Sequence, residues 1–127
     1  MLCNRWEKMK WEDIIKAKVT ASMLNLNELL IEYLKENLDT LPRTFNAGYF
    51  VNEEFKSEFR KIVKDYALEN NITSASALGI FFKGNRYRTW AMRSWQVIKK
   101  AYKDGELPIL VRMGVTQGDY TFEVVEE

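Results

Sequence analysis

The chain has no histidine and a single cysteine, Cys3, among its 127 residues. Without histidine there is no Ser/His/Asp triad, no Cys/His pair and no histidine-bearing zinc site. A lone cysteine forms neither an internal disulfide nor a cysteine-ligated metal cluster within one chain. The acidic residues are not densely clustered either, so no metal and no other cofactor is expected. Gly114 and Gly118 match neither a phosphate-binding loop nor a dinucleotide fingerprint. A general base would have to be Asp, Glu, Lys or Tyr, and nothing selects a reaction. The chain is therefore not expected to be an enzyme.

Long hydrophobic runs are also missing. No stretch of about 18 apolar residues occurs, so no transmembrane helix is expected. Residues 1–10 are too polar for a signal peptide. With the lone cysteine, this points to a small soluble protein in the cytoplasm of the producing or host cell. Only two prolines occur, Pro42 and Pro108, and repeats and low-complexity tracts are absent. The length suits one domain over residues 1–127, large enough to bury a core of its own. Aromatics make up 13% of the chain, which argues against disorder.

The most informative absence is local. Residues 83–103 contain no acid, yet they hold seven of the 19 basic residues: Lys83, Arg86, Arg88, Arg93, Lys99, Lys100 and Lys103. The remaining sequence carries 12 basic and 18 acidic residues, so a net charge of +1 hides a +7 segment in a −6 background. Clustered charge of one sign raises the local potential and attracts an opposite partner.

Periodicity and punctuation lay out the elements. Residues 6–18 read as a short helix with Trp11, Ile14 and Ile15 on one face. A stronger helix spans 25–39, where Asn25 and Glu28 have capping-box spacing and Leu26, Leu30, Tyr33, Leu34 and Leu38 recur at helical intervals. Pro42 sets its end near Leu41. The apolar run 48–51 reads as a short strand. Asn52 is placed to cap a helix over 53–70, with Glu53 and Glu54 in its first turn and Phe55, Phe59, Ile62, Val63 and Tyr66 inward. On its outer side Lys56, Arg60 and Lys64 form a row read as a solvated face balanced by Glu58 and Asp65. Thr73 or Ser74 would cap a short helix over 74–82 that gives Leu78, Phe81 and Phe82 to the core. After a turn at 83–85, a helix runs over 86–103 and stops at Asp104-Gly105. Two β-rich segments, 107–113 and 120–125, form a hairpin.

At about 100° per residue, Tyr87, Ala91, Trp95, Ile98 and Tyr102 fall in one stripe of the 86–103 helix, the expected buried face. Arg86, Thr89, Arg93, Gln96, Lys100 and Lys103 lie opposite, with Arg88 and Lys99 to one side. Trp90 lies off the stripe, where it meets the N-terminal helices or stacks on a ligand. Arginine and glutamine donate paired hydrogen bonds to guanine and adenine edges, and the lysines suit phosphate. Solvated helix faces usually mix acid with base, and this one does not.

A helix, a short second helix, a glycine turn, a basic helix and a hairpin follow one another over 53–125. This order resembles a winged helix-turn-helix domain. The resemblance implies an α+β, mainly helical fold, with a helix-turn-helix core, a C-terminal β-hairpin as wing and N-terminal helices from residues 1–52 packed on it. It also implies that the 86–103 helix enters the DNA major groove. Lys83, Arg86, Arg88, Thr89, Arg93, Gln96, Lys99, Lys100 and Lys103 are then the nucleic-acid-binding residues, with Lys56, Arg60 and Lys64 as additional phosphate contacts. Two features set the chain apart from that pattern. The basic helix is long, and the hairpin carries Arg112 as its only cation. Residues 11–16 are also similar to the openings of small archaeal and viral proteins, which implies no activity. The expected partner is nucleic acid, DNA ahead of RNA. The alternative is an interaction module whose basic helix docks on an acidic protein, a second copy included.

Overall fold

The computed structural model describes residues 20–72, 75–114 and 120–125. The 6–18 helix, the Thr73/Ser74 cap and the hairpin loop lie outside those residues. Four α-helices are described: α1 (Leu26–Glu36), α2 (Glu53–Glu69), α3 (Ala75–Lys83) and α4 (Asn85–Lys103). Three strands accompany them: β1 (Thr44–Asn46), β2 (Ile109–Met113) and β3 (Tyr120–Val124). The fold is α+β and mainly helical. Among the described residues no helix is long and apolar enough to cross a membrane.

Local chemistry explains most boundaries. Asn52 caps α2 as expected, its side-chain oxygen accepting from the Glu54 N–H at 3.3 Å. Gly84 breaks α3 from α4, and an added Cβ would stand 3.2 Å from the Ile80 carbonyl oxygen. At the far end of α4, Gly105 takes φ +75°. The Glu106 N–H bonds the Ala101 carbonyl at 2.8 Å, and the Gly105 N–H bonds that of Tyr102 at 3.1 Å. This pair of bonds is a Schellman stop, which needs a left-handed residue that glycine supplies without strain.

Two expectations at α1 fail for local reasons. Asn25 adopts a left-handed conformation, φ 55°, and its side chain caps no backbone donor. Its amide instead donates to the Glu28 carboxylate at 2.9 Å, so the capping box is not formed. The helix also ends at Glu36, well before Pro42. There the Asn37 side chain donates to the Tyr33 carbonyl at 2.8 Å and turns the chain early.

The strand expected at 48–51 is instead part of a 3-10 helix, Ala47–Val51. Asn46 directs this, since its side-chain oxygen accepts from the Gly48 N–H at 2.9 Å and folds the chain back. The strand lies just upstream, at β1. It pairs antiparallel with β3, setting Phe45 opposite Phe122. The hairpin partner β2 pairs with the other edge of β3, with Val111 also opposite Phe122. The sheet order is β1-β3-β2, so the last strand is the central one.

One hydrophobic cluster draws buried side chains from Leu24 through Phe122. A succession of rings runs through it. Phe122 lies 5.7 Å from Phe50, Phe50 lies 5.0 Å from Phe55, and Phe55 lies 5.6 Å from Phe59. Phe59 stacks on Trp90 at 5.7 Å, and Trp90 lies 5.6 Å from Tyr87. Tyr87 in turn meets Phe82 at 4.9 Å. The rings thereby connect the sheet to the α3–α4 corner, and packed aromatics give both burial and geometric preference.

Candidate nucleic-acid interface

Three aromatic anchors set the rotation of α4 about its axis. Tyr87, 1% exposed, donates its hydroxyl to the Phe50 carbonyl in the 3-10 helix. Burial pushes its phenol well above the usual tyrosine range. Trp90 lies nearly parallel to Phe59 of α2, at an interplanar angle of 7°, and donates its indole N–H to the Asn27 side chain of α1 at 2.8 Å. Its off-stripe position is therefore used for helix packing. Trp95 stacks on Tyr120 of β3, with centroids 4.1 Å apart and planes within 12°. The helix is held from three directions, and its remaining face points outward.

The buried stripe is Tyr87, Ala91, Ser94, Ile98 and Ala101. Tyr87, Ala91 and Ile98 match the expected stripe, but Trp95 and Tyr102 do not belong to it. Trp95 is half-buried at the hairpin edge, and Tyr102 is 40% exposed. Small side chains at 91, 94 and 101 let α4 pack close, whereas two large rings on that line would hold it away. Ser94 satisfies its buried hydroxyl by donating to the Ala91 carbonyl at 2.6 Å.

Lys83, Arg86, Arg88, Thr89, Arg93, Gln96, Lys99, Lys100 and Lys103 are all exposed. On an ideal helix of about 100° per residue, Arg86, Arg93 and Lys100 form a row on the side of α1. Arg88 and Lys99 form another toward the hairpin, with Thr89, Gln96 and Lys103 between. None of the six charges on Lys83, Arg88, Arg93, Lys99, Lys100 and Lys103 is met by an ion pair within the described residues. Lys100 and Lys103 also sit in the last helical turn, where the helix dipole favours cations. Met92, 40% exposed, interrupts the face with an apolar side chain.

The α2 row is not a plain solvated face. Lys56 is half-buried, its ammonium 5.9 Å from the Tyr87 ring centroid, a cation–π contact from α2 to α4. Arg60 is half-buried, and its guanidinium occupies the space beside Gly79 of α3, 3.2 Å from where a Cβ would stand. Lys64 is exposed. Glu58 is engaged on the side of α1. It accepts a hydrogen bond from the Tyr33 hydroxyl at 2.7 Å. Burial, followed by that carboxylate, raises the Tyr33 phenol.

Two surface concavities border α4. An open groove of about 470 Å³ separates α1 from the C-terminal half of α4, and Glu28, Glu32, Asp104 and Glu106 line it together with Lys35 and Lys100. A second hollow of about 430 Å³ is lined by Trp95, Gln96, Lys99, Lys100, Lys103 and Asp104. On the hairpin, Arg112 is paired across the sheet with Glu123 at 2.7 Å, so its charge is partly met within the fold. The described residues contain no group of three or more Cys, Asp or Glu side chains placed to hold a metal. No family model matches the chain, and no match to it is found among the curated proteins or the solved structures.

Proposed function

We propose that this protein binds double-stranded DNA through the exposed face of α4, and that residues 53–125 form a winged helix-turn-helix. The single observation that supports this reading most is the set of unpaired cations on α4. Arg88, Arg93, Lys99, Lys100 and Lys103 share one acid-free helix surface, fixed in orientation by Tyr87, Trp90 and Trp95. Arg86, Thr89, Arg93 and Gln96 reach base edges, and Lys83, Arg88, Lys99, Lys100 and Lys103 meet phosphates. Lys64 and the half-buried Lys56 and Arg60 add contacts at the margin. Duplex RNA suits the same helix poorly, because the A-form major groove is deep and narrow.

Fluorescence anisotropy with a labelled duplex at rising salt tests the reading. About five phosphate contacts give a plot of log affinity against log salt with a slope near −4.5. Absence of binding at low salt overturns it.

One observation favours a second reading. Met92 is an exposed apolar residue amid the charges, and it suits a protein surface better than a phosphate backbone. In this reading the face docks on an acidic protein or a second copy of the chain. Self-association that dissolves in salt, in a protein with no affinity for DNA, selects it.

A further inference from the structure

We infer that the C-terminal half of α4 and the start of β3 form a seat for an unpaired nucleotide, so that the preferred target is DNA in which a single strand leaves a duplex. The inference rests on the DNA-binding reading and adds the form of DNA. It begins with length. From Arg86 to Lys103 the helix rises about 25 Å, whereas the major groove is only about 12 Å wide. When the N-terminal turns lie in the groove, the last two turns reach beyond its width to the strand that borders it. Those turns carry Lys99, Lys100 and Lys103, unpaired among the described residues, and charge clustered in this way attracts the phosphates of a strand that continues past the duplex.

The hollow beside these lysines has the chemistry of a nucleotide. Trp95 lines it, and its indole is held flat by the Tyr120 stack at 4.1 Å. A ring fixed by a neighbour offers a stacking platform with little rotamer freedom left to lose. Lys99, Lys100 and Lys103 stand around it for the phosphate, and Gln96 presents an amide to a base edge. Asp104 completes the lining and accepts from an exocyclic amino group. The volume of about 430 Å³ is ample for one nucleotide.

The experiment compares a blunt labelled duplex with the same duplex bearing a four-nucleotide overhang, using the full chain at fixed salt. Stacking of one base makes the overhang substrate about 5- to 150-fold tighter. Trp95→Leu brings that ratio close to one, Trp95→Phe restores part of it, and Lys99→Gln with Lys103→Gln lowers it. Far-ultraviolet circular dichroism confirms that each variant is folded. If Trp95→Leu does not fold, the lysine pair alone decides. Equal affinity for both substrates in the native protein, or an overhang gain unchanged in the folded variants, overturns the inference and leaves duplex binding intact. Loss of all DNA binding overturns both.

Discussion

The position of α4 depends on a few side chains that each do two things. Trp90 buries a ring against Phe59 and spends its one polar hydrogen on Asn27. Trp90→Ala is expected to destabilise the protein by about 3–5 kcal/mol, since both the ring and its packing are lost. Asn27→Ala removes only the acceptor and is expected to cost about 1–3 kcal/mol. Urea titrations of both variants, with the double variant to measure their coupling, check this pair. A coupling near zero shows that the hydrogen bond adds nothing to the stack. Gly105 offers a backbone test. At φ +75° nothing lies within 4 Å of an added Cβ, so Gly105→Ala meets conformational strain without a clash. A loss of about 1 kcal/mol is expected, and a larger loss contradicts the open surroundings.

The junction of α1, α2, α4 and the 3-10 helix holds two buried phenols, Tyr33 and Tyr87, and the half-buried Tyr49, and this gives it an alkaline limit. Burial raises the ionisation of Tyr33, Tyr49 and Tyr87 above the ordinary value near 10. Nearby Glu58 adds to the shift at Tyr33 and Tyr49. A raised native value means that the unfolded chain loses its protons first. The stabilisation is therefore complete below pH 10 and falls as pH rises beyond it. Thermal melts should be level on this account from pH 8 to about 9.5 and then decline. Tyr87→Phe should flatten the decline while lowering stability at neutral pH, because the bond to the Phe50 carbonyl is lost. The same elements show what could be read from the chain in advance. Asn52, Gly84 and Gly105 act within a few residues, so α2, the α3–α4 break and the end of α4 were legible. Three-residue β1 was not, because its partner residues 121–123 are remote in sequence and three residues hold no period. The apolar run 48–51 looked extended until the Asn46 side chain turned it. On α4 the outward cations were legible from charge alone. The inward line was not, since Ser94 and Ala101 outrank Trp95 and Tyr102 only once the close approach of neighbouring elements is known.

For the whole molecule the net charge of +1 conceals an uneven distribution of charge. The excess acid lies elsewhere, part of it in the groove between α1 and α4, where Glu28 and Glu32 lie near Lys100. The cations of α4 are thus unequal. If the face binds DNA as proposed, Arg88→Ala, which removes a phosphate contact, is expected to make the salt slope less steep by about one unit. Arg112→Ala, whose partner is Glu123, is expected to leave the slope unchanged, and equal effects from the two would remove the special role of α4. The sheet order has a temporal consequence. Because β3 lies between β1 and β2, neither outer strand has a partner until residues 120–124 exist. In a chain made only as far as residue 119, Phe45 and Ile109 have no strand beside them to cover them. The basic helix is made before β3, the strand whose Tyr120 braces it and whose pairing completes the sheet.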